Sequence, residues 1–149
     1  MYVWAALANA IWGDTMKNKM REYAETTLLG AVGYCVLEML WRGRTHWSMA
    51  AAGGFCFSAL HAINEEYGDL PLWRRCLWGA ATITAAELLT GCLVNIRRGW
   101  GVWDYSDQPG NVMGQICPLF SVLWFLLCIP LCGLSGSIRK KISRGSAQA

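Results

Sequence analysis

A chain of 149 residues is one domain's worth, and its 54% hydrophobic and 15% charged residues set it apart from a soluble domain, which carries about 25% charged. The net charge of +3 is small, and the basic residues flank apolar runs instead of forming an arm, which excludes a nucleic-acid-binding protein. Nine tryptophans suit a bilayer interface, where one end of the ring system is apolar and the other wet; polar loops and ends hold the mean hydropathy to +0.27.

The opening MYVWAALANAIW is apolar but lacks a basic flank before it and a small-residue cleavage site after it, so it does not read as a signal peptide. It falls short of the roughly 20 residues a span requires. Residues 1–22 therefore read as a cytoplasmic or interfacial segment. Residues 23–138 read as a transmembrane domain and 139–149 as a basic cytoplasmic tail.

Four stretches in that domain are apolar enough to cross: Tyr23 to Trp41, Trp47 to Asn64, Cys76 to Ile96, and Val112 to about Ser137. Each is bounded by charge or Trp, as bilayer interfaces select. The expected fold is all-α, an integral membrane four-helix bundle made of two helix hairpins in the cell membrane. Placing both termini inside puts Lys17, Lys19, Arg21, Arg74, Arg75, Arg139, Lys140, Lys141 and Arg144 in the cytoplasm. It leaves only Arg42, Arg44, Arg97 and Arg98 outside.

The second stretch carries small residues every fourth position, Ala50, Gly54, Ser58 and Ala62. In lipid such a row lets backbones approach and gain dispersion contacts. Packing within the bundle is preferred to a dimer face, and this helix is expected to be central.

Two acids interrupt the spans. Glu38 has Arg42 one turn on, and an i,i+4 pair would satisfy it. Glu87 has no basic residue within a turn, and an ionisable group at mid-membrane costs about 2.5–3.5 kcal/mol or more. Its partner must come from elsewhere in the fold. The loop VWDYSDQPGN, residues 102–111, follows the Glu87 helix and in the N-in arrangement lies outside with both glutamates. It reads as part of a polar pocket folded into the outer mouth, with Asp104, Tyr105 and Asn111 converging there. Trp100 and Trp103 read as interface anchors or a wall. If Asp104 approaches Glu87, one acid holds a proton or a bound cation bridges them. A plainer role gives Asp104 and Ser106 a turn before the fourth helix, with Asn111 near its N-terminus. The two roles are compatible.

The run AELLTGCLVNIRRGWGVWDYSDQPGNVMGQICPLFSVLWFLL resembles the second half of the ABC-transporter type IV, or CmpB-like, family of small multi-pass membrane proteins. The shared pattern is Glu87, Gly91, Trp103–Asp104–Tyr105–Ser106, Asn111, Gly114–Gln115–Ile116 and Trp124. GYCVLEMLW fits a first helix with its own Glu, whereas GRTHWSMAAAGG stands where bacterial members have an Asn-Arg-Gly-Phe and Gly-Pro run. The resemblance implies a permease.

The rest of the chemistry is sparse. Cys35, Cys56, Cys76, Cys92, Cys117, Cys128 and Cys132 form no CxxC and read as small hydrophobes, not as a disulfide framework or metal site. No P-loop is present, no cofactor is expected, and no nucleophile–base pair with hydrolase spacing is visible. His61 and Glu65, at i,i+4, read as a capping or surface pair. The leading reading is a transport-type component whose acidic outer-half pocket, from Glu38, Glu87, Trp103, Asp104, Tyr105, Asn111 and Gln115, binds a small polar or cationic solute. Four helices are few for a pathway, so a homo-oligomer or a partner membrane subunit is implied, and an ABC system would need a separate ATPase at the inner loop around Glu65–Arg75. The alternative is a structural or assembly factor of a membrane complex. A small membrane enzyme acting on a lipid-like substrate through Glu87, Asp104 or Tyr105 stands third.

Overall fold

The computed structural model describes the backbone of residues 2–146 and the side chains of residues 13–145 except 14. The chain forms α1 (Tyr2–Arg42), α2 (Trp47–Glu66), α3 (Leu72–Gly91), a π-helical continuation of α3 (Cys92–Arg97), and α4 (Pro118–Ser146). The side chains of the opening apolar segment lie outside the described residues, but its backbone from Tyr2 onward belongs to α1. α1 runs through residue 22 and α4 through residue 138 without a break, so those positions mark changes of composition along continuous helices.

Local chemistry sets the ends. Gly43, at φ +66°, stops α1 in the left-handed conformation that glycine adopts without penalty, and its N–H donates to Met39 O at 3.0 Å. His46 caps α2, its Nδ1 accepting from Ser48 N at 3.3 Å. Pro118 opens α4, where its missing N–H costs nothing. The second expected span agrees closely with α2. The fourth does not: residues 112–117 form a turn closed by a Val112–Ile116 bridge, and α4 starts six residues later than the span read from sequence. Met113 and Gly114, both at positive φ, cannot belong to a right-handed helix.

α1 and α2 meet across glycine. A Cβ on Gly30 would strike Gly53 O and come within 2.7 Å of Phe57 Cβ, and one on Gly54 would lie 2.9 Å from Thr27 O. Ser58 Oγ adds a 2.7 Å hydrogen bond to Thr27 Oγ1. The small-residue row thus packs inside the chain, against α1. α2 also packs on α3 and α4, and α3 packs along α4.

Phe57, Leu60, Cys76, Ile83, Cys128 and Cys132 form the larger core, and Met49, Val94, Val102 and Trp103 form a second under the 98–117 loop. All seven cysteines are free thiols. Large apolar side chains face outward on every helix, among them Val32 and Leu40, Phe55, Leu77 and Trp78, and Val122 and Ile129. Leu72–Arg97 and Pro118–Gly145 are long and apolar enough to cross a membrane.

Candidate functional site

The 98–117 loop is folded onto the helices by one amide. Asn95 sits in the π-helical segment, whose wider turn interrupts regular α-helical bonding before the loop. Its Nδ2 donates to Trp103 O at 3.0 Å and to Gln115 Oε1 at 2.8 Å, while its Oδ1 accepts from Val102 N at 2.7 Å. Trp103 Nε1 donates to Gln115 O at 3.0 Å, and Gln115 Nε2 to Met113 O. Gly91 leaves room for this clamp: a Cβ there would meet Gln115 Oε1 and, at 3.0 Å, the Trp103 ring.

Clamped this way, the loop sends Tyr105 between the helices. Its hydroxyl donates to Glu87 Oε1 at 2.9 Å, and Trp124 Nε1 donates to Glu87 Oε2 at 2.9 Å. Glu87 is only 7% exposed. Both of its oxygens accept, and neither donor brings a positive charge. The Tyr105 ring stacks on Phe120 at 4.3 Å, with Trp124 and then Tyr34 continuing the aromatic wall. Across from it, Glu38 pairs with Arg42 and accepts from Thr45 Oγ1 at 3.2 Å, and Arg42 also donates to Val102 O at 2.6 Å. The i,i+4 pairing expected for Glu38 is present. Between α1 and α4 these groups enclose a cavity of about 350 Å³, lined by Tyr34, Glu38, Trp41, Arg42, Tyr105, Phe120, Trp124 and leucines.

The residues read from the sequence divide into three groups. Glu38 and Tyr105 line the cavity, and Glu87 stands directly behind its Tyr105–Trp124 wall. Trp103 and Gln115 belong to the buried clamp, so Trp103 is neither an interface anchor nor a cavity wall. Asp104 and Asn111 shape the loop instead of converging on Glu87. Asp104 is exposed, and its Oδ1 accepts from Ser106 N at 2.8 Å and Ser106 Oγ at 2.6 Å. Asn111 donates to Ser106 O and Gln108 O and accepts from Gly114 N. Trp100 is exposed and belongs to a ring cluster with His46 and the exposed Trp47.

Hydrogen bonds from the Ser106 hydroxyl and then its backbone N–H hold the Asp104 carboxyl below the usual Asp range. A depressed carboxyl contributes order that is complete above the usual Asp value of about 3.9 and lost as pH falls through the lower folded value. Protection of the Ser106 amide from hydrogen exchange should therefore fall in acid. Asp104→Asn, which keeps the Oδ1 acceptor, should remove that pH dependence, whereas Asp104→Ala should remove the protection itself. Protection unchanged in Asp104→Ala would exclude this turn.

A second polar cluster lies at the opposite end of the helices, and it corrects the surface pair expected for His61 and Glu65. His61 is 1% exposed. Its Nδ1 lies 2.9 Å from Ser135 Oγ and its Nε2 3.2 Å from Glu22 Oε2, tying α1, α2 and α4 together. Glu65, one turn on, reaches Lys19 Nζ at 2.8 Å and accepts from the Tyr23 hydroxyl at 3.4 Å. The Lys19 hydrogen bond lowers the Glu65 pKa and, reciprocally, raises that of Lys19.

The family model described as Putative ABC-transporter type IV matches residues 49–144. No curated protein and no solved structure matches the chain. The matched stretch contains the Glu87 helix, the Asn95-clamped loop and the Trp124 helix, which build one wall of the cavity and everything behind it. On a match that takes in well over half of its length, the chain belongs to the ABC-transporter type IV family.

Proposed function

We propose that the chain is a multi-pass transport-type membrane component, with all four helices in the bilayer and both termini inside, whose cavity binds a small organic cation. The observation that carries this reading is the Glu87 carboxylate. It is buried, its hydrogen-bond partners among the described residues are two neutral donors, and it stands at the polar edges of the Tyr105 and Trp124 rings. Donation to a carboxylate polarises both ring systems and makes their faces more negative. A cation in front of such faces gains cation–π attraction, strongest where water is excluded. The hydrogen bonds of Arg42 go to Glu38 and Val102 O, not to Glu87. In this arrangement the cavity lies in the outer half, and a partner subunit or separate ATPase would meet the inner turn between Glu65 and Arg75.

Thermal unfolding of the purified protein tests the site. Tetraethylammonium at 100 times its dissociation constant should stabilise the parent by about 2.7 kcal/mol and leave Glu87→Gln unmoved. No shift in the parent at any concentration would remove the reading. Orientation has its own check. A single cysteine at position 69, in the α2–α3 turn of a cysteine-free chain, should resist an impermeant thiol reagent added outside intact cells. Labelling from outside would invert the arrangement.

A further inference from the structure

We propose that the solute is a single-chain amphiphile: its cationic head occupies the aromatic cavity, and its alkyl tail lies along the seam between α1 and α4. The inference rests on the cation site proposed above and names its substrate class.

A second cavity, of about 440 Å³, continues from the first and shares Tyr34, Leu37, Trp124 and Leu127 with it. It runs down the seam to Leu131 and Leu134, over a floor that includes Phe57 and Ile83. From Phe120 to Leu134 the joined groove follows 14 residues of α4, about 21 Å at 1.5 Å per residue. One leaflet offers about 15 Å of hydrocarbon, half of a ~30 Å core. The groove therefore has the length of one lipid-like tail plus a head.

Its chemistry is as one-sided as its length suggests. The charged groups Glu38 and Arg42 line only the upper cavity, and Glu87 stands behind that cavity's wall. That end carries two carboxylates against one guanidinium, already paired, so its charge complements a cationic head and opposes the phosphate of an ordinary phospholipid. Gly33 keeps the lower groove open. It lines that cavity, and a Cβ added there meets nothing within 4 Å. A side chain at this position would fill tail space without displacing a neighbouring helix.

The probe is dodecyltrimethylammonium carrying a diazirine at its terminal carbon, photolysed with the protein in nanodiscs and mapped by mass spectrometry. Labelling should concentrate on peptides containing Gly33 and Leu131–Leu134, and excess tetraethylammonium, competing for the head site, should suppress it at least tenfold. Gly33→Phe should lower the groove labelling by a similar factor while the thermal shift with tetraethylammonium persists. Leu134→Trp, at the far end, should do the same for the most distal adducts and serves if Gly33→Phe fails to fold. Adducts spread over the outward faces, at Leu77 or Trp78, would overturn the tail site. So would equal groove labelling by dodecyl phosphate bearing the same diazirine, the mark of a general lipid contact. Stabilisation by tetraethylammonium without groove labelling leaves the cation site standing and ends this inference; no binding of either cation ends both.

Discussion

Glu87→Leu should destabilise the protein by about 2–6 kcal/mol, because it strands two buried donors at about 1–3 kcal/mol each. The Trp124 indole N–H has no other role open to it, since it donates only. Glu87→Gln should stay within about 1 kcal/mol of the parent. The new amide can accept from Trp124 through its oxygen and donate to the Tyr105 oxygen through its nitrogen, a pattern the tyrosine hydroxyl allows. Reversible unfolding in mixed micelles or bicelles gives both values. Adding Trp124→Phe to Glu87→Leu should recover part of the loss, as removing both partners of a buried bond costs less than removing one. The comparison also separates a ligand pocket from a scaffold. Were Glu87 neutralising a buried cation of a partner helix, Glu87→Gln would be the costly change, by about 3–5 kcal/mol. A leucine variant as stable as the parent would show that the two hydrogen bonds hold nothing.

Gly54→Leu should disrupt the contact between α2 and α1. Its Cβ alone would lie 2.9 Å from Thr27 O and 3.1 Å from Thr27 Cγ2, and backbone cannot step aside as a side chain can. Overpacking of this kind costs about 1–3 kcal/mol or more in a rigid core, and here it opens the α1–α2 seam that also holds the Ser58–Thr27 bond. The expected result is loss of monodisperse protein on size-exclusion chromatography, with a lowered unfolding temperature in whatever remains. Gly33→Ala, one helix over, provides the opposite sign. It has open space and replaces a poor helix former, for a gain of up to about 1 kcal/mol. A Gly54→Leu chain that assembles like the parent would mean that α2 is not held against α1 there.

What the sequence shows of this site follows the range of each interaction. The Glu38–Arg42 pair is local, one helical turn, and is legible as soon as both residues are placed on a helix. Tyr105 is legible as a polar group in a loop between apolar runs. Its direction is not, because that depends on Asn95 gripping Trp103, Gln115 and Val102 across spacings of 7 to 20 residues. Trp124 stands in the family pattern, but its bond to Glu87 spans 37 residues and appears only when α3 and α4 are packed. Of the two roles the sequence allows Asp104, the turn with Ser106 is the one present, because the Ser106 groups two residues away satisfy the carboxyl first. His61 departs in the opposite direction. Its spacing suggests Glu65, whereas its partners, Glu22 and Ser135, lie 39 and 74 residues distant. The start of α4 was misplaced because Met113, not a glycine, takes a positive φ, which no composition rule anticipates.

That distant serine has a consequence for how the protein is made. Glu22 and His61 belong to α1 and α2, which leave the ribosome first, while Ser135 sits in α4, the helix synthesised last. Under the membrane arrangement proposed here, the N-terminal hairpin enters with its polar contacts incomplete and waits for the C-terminal helix to close them. The two helices long and apolar enough to cross a membrane, α3 with its continuation and α4, are synthesised second. A nascent chain stopped before residue 135 is thus a recognisable unfinished product. It holds the His61–Glu22 contact but lacks the Ser135 hydroxyl that completes it.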